Sequence, residues 1–187
     1  KKLMKFFEQY DSSAIRTFIG TAMIKFATGV IGIWGTINLY YLSYIKNRGD
    51  VVSSTTNSIL LLCVIIPTSF LVLLATRVSS YFGYKRIIRS CALAFWLFPF
   101  LLNIKLNIVT LGICFLLVPM SCFAISAIPI LNCLWSQFPK DLNKVSGSAI
   151  LFFSLGMIVW NITFFAIVNP DNSPAVIDSE NQAYFNH

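Results

Sequence analysis

The chain has 187 residues, of which 57% are hydrophobic and 11% are charged, and its mean hydropathy is +0.75. A soluble domain of this length needs far more charged surface, so the composition excludes one and predicts an all-α, polytopic membrane bundle. The 14 Lys and Arg residues outnumber the 7 Asp and Glu residues, but they cluster at the ends of apolar runs. That placement favours contact with lipid headgroups and excludes a nucleic-acid partner.

Apolar runs long enough to cross a bilayer follow one another along the chain. Residues 1–16 are predicted to form a basic N-terminal segment, residues 17–168 the transmembrane bundle, and residues 169–187 a polar, acidic tail. The bundle is predicted to contain about five helices, over residues 18–45, 58–75, 87–104, 108–135 and 147–168. Because the connections are short, we expect sequential helices to pack as antiparallel neighbours.

The basic residues are distributed unequally between the two sides of the predicted bundle. Ten of them precede the first span or lie in the second-to-third and fourth-to-fifth connections, whereas three lie in the other connections. The positive-inside rule therefore predicts that the N-terminus is on the cytosolic or matrix side and the acidic tail on the opposite side. The abundance of Phe, Ile, Asn and Lys is typical of an AT-rich genome. We expect the mitochondrial inner membrane, with the plasma membrane or another organelle membrane as alternatives.

One charged residue, Lys25, lies deep within a predicted span, and an intramembrane charge indicates a functional site. Its long stem could carry the ammonium to the interface or to another subunit, or the ammonium could bind an anion. Small residues predict close contacts between helices, and amide side chains predict interhelical hydrogen bonds. These residues are Gly29, Gly32, Gly35, Asn132, Gly147, Gly156 and Asn161.

The sequence contains no pattern that is typical of a metal, cofactor or catalytic site. All five cysteines lie in apolar runs, where we expect them to act as small apolar residues, and the single histidine is His187. We therefore expect no disulfide, no metal ion and no cofactor. No nucleophile–base pair, phosphate-binding loop or paired carboxylate occurs within a span, so we expect that the protein is not an enzyme.

Three local strings resemble one family of membrane transporters. "GVIGIWGTINLYYLSY", residues 29–44, is similar to the first helix of the oxalate/formate-antiporter and monocarboxylate-transporter-like branch of the major facilitator superfamily. "WSQFPKDLNKVSGSAILFFSLGMIVWNITFFAIVNPDN", residues 135–172, resembles the fourth loop and fifth helix of that branch. With the basic loop at 77–89 between them, the resemblance is collinear over about residues 17–172. It implies helices one to five of the N-terminal half of such a transporter.

The connection between the second and third spans resembles the family's loop Gly-x-Leu-x-Asp-Arg-x-Gly-Arg-Arg. When Gly83 is aligned with the second glycine, Ser80 stands at the aspartate and Tyr81 at the first arginine. The seven residues that this degenerate loop places at the motif positions are Thr76, Ser80, Tyr81, Gly83, Tyr84, Lys85 and Arg86. The family's aspartate pairs with arginine near a helix N-terminus. Serine can cap that terminus but cannot form the ion pair.

The resemblance and the changed loop lead to two functional hypotheses. The first is a transport-inactive structural or accessory subunit of a larger membrane complex. Its partners would be the lipid bilayer and other membrane subunits that cover the face left by the missing second half. The alternative is part of an active secondary transporter for small organic anions of the monocarboxylate or oxalate/formate type.

Overall fold

The computed structural model describes residues 9–47, 54–100, 110, 112–171, 176–177 and 183–184. Helices dominate these residues, and one two-stranded ribbon lies in the tail. The α-helices are α1 (Ser12–Thr28), α2 (Trp34–Asn47), α3 (Ser54–Phe82), α4 (Tyr84–Phe100), α5 (Val118–Gln137) and α6 (Leu142–Val168). A 3₁₀ segment, Gly29–Ile33, joins α1 to α2, and a π-helical segment, Gly112–Leu117, precedes α5. The strands β1 (Val176–Ile177) and β2 (Ala183–Tyr184) pair antiparallel.

Four of the described helices are long and apolar enough to cross a membrane, judged by length and composition. They are Ser12–Ile45, Leu61–Phe82, Gly112–Gln137 and Leu142–Val168. This finding confirms the prediction of an all-helical, apolar chain that is typical of an integral membrane protein. The predicted third span, 87–104, falls on α4, which has 17 residues, and its last part lies outside the described residues.

Two helices begin or end well beyond the predicted spans. The chain enters α1 at Ser12 because Asp11 caps it, its carboxylate accepting a hydrogen bond from the Ala14 N–H at 2.9 Å. The second predicted span ended at Ala75, where the apolar run ends, but α3 continues to Phe82. Between these two residues no glycine or proline interrupts the helix, so it ends only at Gly83.

The helices pack both on neighbours in sequence and on helices farther along the chain. The most extensive contacts join α3 with α5, α4 with α5, and α1 with α6, so α5 lies at the centre of the bundle and α1 also contacts it. The Phe18–Phe152 and Tyr40–Phe165 ring contacts show that the first span and α6 run parallel. This parallel course agrees with spans that alternate in direction. The expectation that the first span packs on the second is wrong, because its extensive contacts are with α6 and α5, and glycines allow the close approach to α6.

Glycine governs the crossing of α1 and α6. A Cβ at Gly29 would lie 2.6 Å from the carbonyl carbon of Gly156, and a Cβ at Gly156 would overlap the Phe26 carbonyl oxygen. The 3₁₀ segment begins at this crossing, and the indole N–H of Trp160 donates to the Phe26 carbonyl at 3.2 Å. The Trp160 side chain of α6 thus donates a hydrogen bond to the backbone of α1 at the point where α1 stops being a regular α-helix.

The end of the bundle nearest the N-terminus holds the main buried cluster. Its members are Ala14, Leu134, Phe138, Val145 and Ala149. The Tyr10 and Phe138 rings lie 4.5 Å apart, and the Tyr10 hydroxyl donates to the Asp141 carboxylate at 2.6 Å. The start of α1, the end of α5 and the start of α6 therefore meet on one side of the bundle, as the predicted orientation requires.

Candidate functional site: the cavity beside Lys25

Lys25 is the charged residue that lies deepest in the described helices. It follows Ser12 by thirteen residues, which places it about 20 Å along α1 from the start of that helix. Its Nζ atom lies 5.2 Å from the centroid of the Phe123 ring, which is within the range of a cation–π contact. Phe123 lies fourteen residues before Gln137, so it has a similar depth of about 20 Å on α5. The side chain therefore points into the bundle and not toward the near surface.

A cavity of about 230 Å³ extends from Lys25 between α1, α5 and α6. Its wall is mainly aromatic and aliphatic, formed by Phe123, Leu131, Trp135, Ala149, Ile150 and Phe153 together with Ser146. At the shallow end the Trp135 indole N–H donates to the Ser146 hydroxyl at 2.8 Å. The cavity thus runs from this hydrogen-bonded pair, near the N-terminal side of the bundle, to the ammonium at its deep end.

The ammonium of Lys25 has three donors, and no acidic side chain among the described residues pairs with it. The aromatic face of Phe123 offsets only part of the cost of placing a charge in an apolar environment. A small anion in the cavity would form a charge-assisted hydrogen bond with the ammonium. The arrangement therefore offers hydrogen-bond donors that suit a small anion, and no described group beside the ammonium could act as a general acid or base.

The structure places residues 76–86 away from this cavity. Gly83 has a φ of +83°, a conformation that glycine adopts without strain, and it is the only residue between α3 and α4. The Ser80 hydroxyl donates to the Arg77 carbonyl at 2.8 Å within α3. Ser80 lies in the last turn of a helix and does not cap a helix start, so the expected capping role is wrong.

The other residues of the segment face outward. Thr76, Gly83, Lys85 and Arg86 are exposed, and Tyr84 is 38% and Tyr81 is 83% exposed, the Tyr81 ring lying 4.8 Å from that of Phe82. Two cations at the start of α4 face the positive end of the helix dipole, which disfavours them unless anionic groups lie nearby. No described acid contacts the segment, so it forms no latch within the described part of the chain.

The predicted packing residues divide into two groups. Gly29 and Gly156 meet at the crossing of α1 and α6, and a Cβ at Gly32 would overlap the Met157 side chain. Gly35 and Gly147, in contrast, have no described atom within 4 Å of a Cβ built on them, so they make no close contact.

The predicted amide hydrogen bonds are not seen among the described residues. Asn132 is half-buried and has no described side-chain partner. The side-chain oxygens of Asn161 and Asn38 are buried without a donor, and no pattern in the sequence distinguished Asn38.

The sequence did not indicate Phe123 or the polar group at the start of α6, and it indicated Trp160 only as an interfacial anchor or core residue. Asp141 accepts hydrogen bonds from Lys144 at 2.6 Å and from Tyr10 at 2.6 Å. These hydrogen bonds, Lys144 first, hold the pKa of Asp141 below its usual range, and the bond to Asp141 raises the pKa of Tyr10. The i,i+3 spacing of Asp141 and Lys144 was readable from the sequence, but the contact with Tyr10 spans 131 residues.

No protein-family model, curated protein or solved structure matches this chain. The resemblance to the major facilitator superfamily stays a prediction.

Proposed function

We propose that this chain is a transporter-derived integral membrane protein that acts as a non-transporting structural or accessory subunit of a larger membrane complex. The proposal is supported above all by the segment at the junction of α3 and α4. There Ser80 bonds to its own helix and Tyr81 is 83% exposed. A conformational latch of the kind implied by the family resemblance needs an acid–arginine pair at these positions.

The outer faces of the bundle also support a subunit role. Large apolar side chains are exposed along α3, α4 and α6, including Phe70, Leu73, Leu93, Leu97, Ile158 and Ile167. Lipid covers such faces in an isolated membrane protein, and helices of another subunit cover them in a complex. The exposed Lys85 and Arg86 at the start of α4 would face headgroups or an acidic surface of a partner.

We further propose that the membrane is the mitochondrial inner membrane, with the N-terminus on the matrix side.

The Lys25 cavity favours a second candidate function, which is part of an active secondary transporter for small organic anions. A half-buried ammonium without a described acidic partner at the end of a 230 Å³ cavity suits a monocarboxylate or an oxalate-like anion. Transport by alternating access would need a second helical half that moves against this one.

A non-denaturing gel of gently solubilised native membranes, followed by mass spectrometry of every band that contains the chain, separates the two functions. The subunit proposal expects co-migration with other membrane proteins at a fixed ratio. It also expects that the purified chain in liposomes exchanges formate and lactate no faster than protein-free liposomes. Saturable exchange that is lost in Lys25→Gln and kept in Lys140→Gln, an exposed lysine outside the cavity, would overturn it and establish the transporter.

A further inference from the structure

Two cysteines that lie 31 positions apart in the sequence meet between α4 and α5. Cys91 is half-buried on α4, and Cys122 is buried on α5. Both side chains line the same cavity of the bundle. Nothing in the sequence indicated this pairing, because it depends on how the two helices pack.

The thiol pair faces a second cavity, of about 220 Å³, between α1, α4 and α5. The other sulfur atom in its lining belongs to Met23 of α1, whose side chain is 68% exposed and therefore lies at the rim. The rest of the lining is mostly aliphatic and aromatic, with two hydroxyl groups, those of Thr28 and Ser126. The lining of the cavity thus includes two thiols and one thioether, contributed by three helices.

We propose that Cys91 and Cys122 bind a single Cu(I) ion as two thiolates, with the Met23 thioether as a third, weaker ligand. Thiolate and thioether sulfurs are soft donors that select Cu(I) among biological metal ions. Binding forms two copper–thiolate bonds and one weaker copper–thioether bond and releases the two thiol protons to solvent, so the metal keeps its oxidation state and no oxidant is required. The bound ion would join α4 to α5 at the centre of the bundle.

The donor set argues against the other common metals. Zinc takes four nitrogen, sulfur or carboxylate ligands in structural sites. Among the residues that the structure describes, no three His, Cys, Asp or Glu side chains come together. Calcium and magnesium require several oxygen ligands, which this apolar cavity lacks in its described wall.

The Lys25 ammonium in the neighbouring cavity would compensate the negative charge of the proposed copper site. Two thiolates and one Cu(I) carry a net charge of −1, which is costly in an apolar environment. Phe123 lines both cavities, and the Lys25 ammonium lies 5.2 Å from the centroid of its ring. The positive charge of Lys25 thus lies across one aromatic ring from the cavity that would hold the anionic site. Lys25 would act there as a positioning charge and not as a ligand.

The test is a competition assay for Cu(I) with the complete chain, purified in detergent micelles under anaerobic, reducing conditions. Bicinchoninate is the coloured competitor, and Ag(I) serves as a redox-inert second probe. We expect wild-type protein to bind one Cu(I) per chain and Cys91→Ser/Cys122→Ser to bind none. The matched control, Cys63→Ser/Cys133→Ser, removes two other cysteines and keeps the site. Lys25→Gln should weaken binding by about 10- to 100-fold, as loss of an outer-shell group does.

Two further measurements separate a metal site from a merely structural thiol pair. Ag(I) should raise the thermal midpoint of wild-type protein and of the Cys63/Cys133 control, but not of the Cys91/Cys122 variant. Size-exclusion profiles and circular dichroism establish that each variant is folded. Equal Cu(I) binding by the two double variants would overturn the proposal. A Cys91–Cys122 disulfide in the freshly isolated chain would also overturn it, because the pair would then be a structural cross-link. The site is independent of the proposed function, since a subunit or a transporter could carry it.

Discussion

Gly156 lies at the crossing of the parallel helices α1 and α6, against the backbone of Phe26. A Cβ there would overlap the Phe26 carbonyl oxygen and lie 2.9 Å from the carbonyl carbon, and backbone atoms cannot turn aside as a side chain would. We expect Gly156→Ala to lower the free energy of unfolding by about 1–3 kcal/mol, because the methyl group overpacks the crossing. Chemical denaturation in micelles, followed by tryptophan fluorescence, measures the change.

The matched control is Gly147→Ala on the same helix. No described atom lies within 4 Å of a Cβ at Gly147, and alanine favours a helix interior over glycine by about 1 kcal/mol. We therefore expect this variant to be as stable as wild type or more stable. Two variants that are equally destabilised would show that the crossing does not constrain Gly156.

The hydrogen bonds that join Tyr10, Asp141 and Lys144 make stability depend on pH at both ends of the scale. The pKa of Asp141 in the folded chain is below its ordinary value of 3.8, so the stabilisation is present above that value and lost as the pH falls through the folded pKa. The pKa of Tyr10 is raised above 10.0, so its contribution is present below pH 10 and lost as the pH rises through the folded pKa.

We expect Lys144→Met to flatten the acid side of the stability profile more than Tyr10→Phe does, because the Lys144 hydrogen bond is the larger cause of the low pKa of Asp141. Unfolding midpoints recorded over a series of acidic buffers provide the measurement. Lys140→Met is the control, since it removes the same charge from an exposed neighbour that has no described contact with Asp141. If Lys140→Met flattened the profile equally, the effect would come from the change in net charge and not from the loss of the Lys144–Asp141 hydrogen bond.

At the scale of single elements, the end of α3 decides whether an acid–arginine pair can be introduced at positions 80 and 81. Ser80 lies in the last turn of α3, where the negative end of the helix dipole disfavours an acid by about 0.3–1 kcal/mol. We expect Ser80→Asp/Tyr81→Arg to produce no anion flux in liposomes, and Ser80→Asp alone to be slightly less stable than the uncharged Ser80→Asn. A gain of saturable flux in the double variant would show that the helix junction can still act as a latch.

The same helix shows which features of the elements are readable from the sequence. Apolar runs of about 18 residues or more identified the helices, because in lipid every backbone polar group must be satisfied within its own segment. The end of a run is nevertheless not the end of a helix. The prediction stopped α3 at Ala75, whereas the helix continues through Arg77 to Phe82 and stops at the positive φ of Gly83. Hydropathy indicates which residues contact lipid, whereas a helix ends where the backbone leaves helical φ and ψ angles, as at Gly83.

For the whole molecule, the sequence identified Lys25 but not the cavity that it enters. Its charge stands out in an apolar run, so a functional role could be predicted from composition. Its partner Phe123 is one of 17 phenylalanines, and only the register between α1 and α5 selects it. That register is set by three-dimensional packing, and so are the crossing of α1 and α6 at Gly29 and Gly156 and the shared cavity of the two thiols of α4 and α5.

The arrangement of the helices also fixes which residues share a side of the membrane. The Tyr10–Asp141 hydrogen bond places the starts of α1 and α6 together, and the 27 residues of α6 span about 40 Å, more than a hydrocarbon core of about 30 Å. We therefore expect Arg16→Cys and Lys144→Cys to react with a membrane-impermeant maleimide from one side of sealed vesicles, and Asp171→Cys from the other. All three residues are exposed, and the unsubstituted chain gives the background labelling of the native cysteines. The basic ends should face the cytosol or matrix. Labelling of Arg16→Cys and Lys144→Cys from opposite sides would contradict the parallel course of the first and last spans, and with it the cavity beside Lys25.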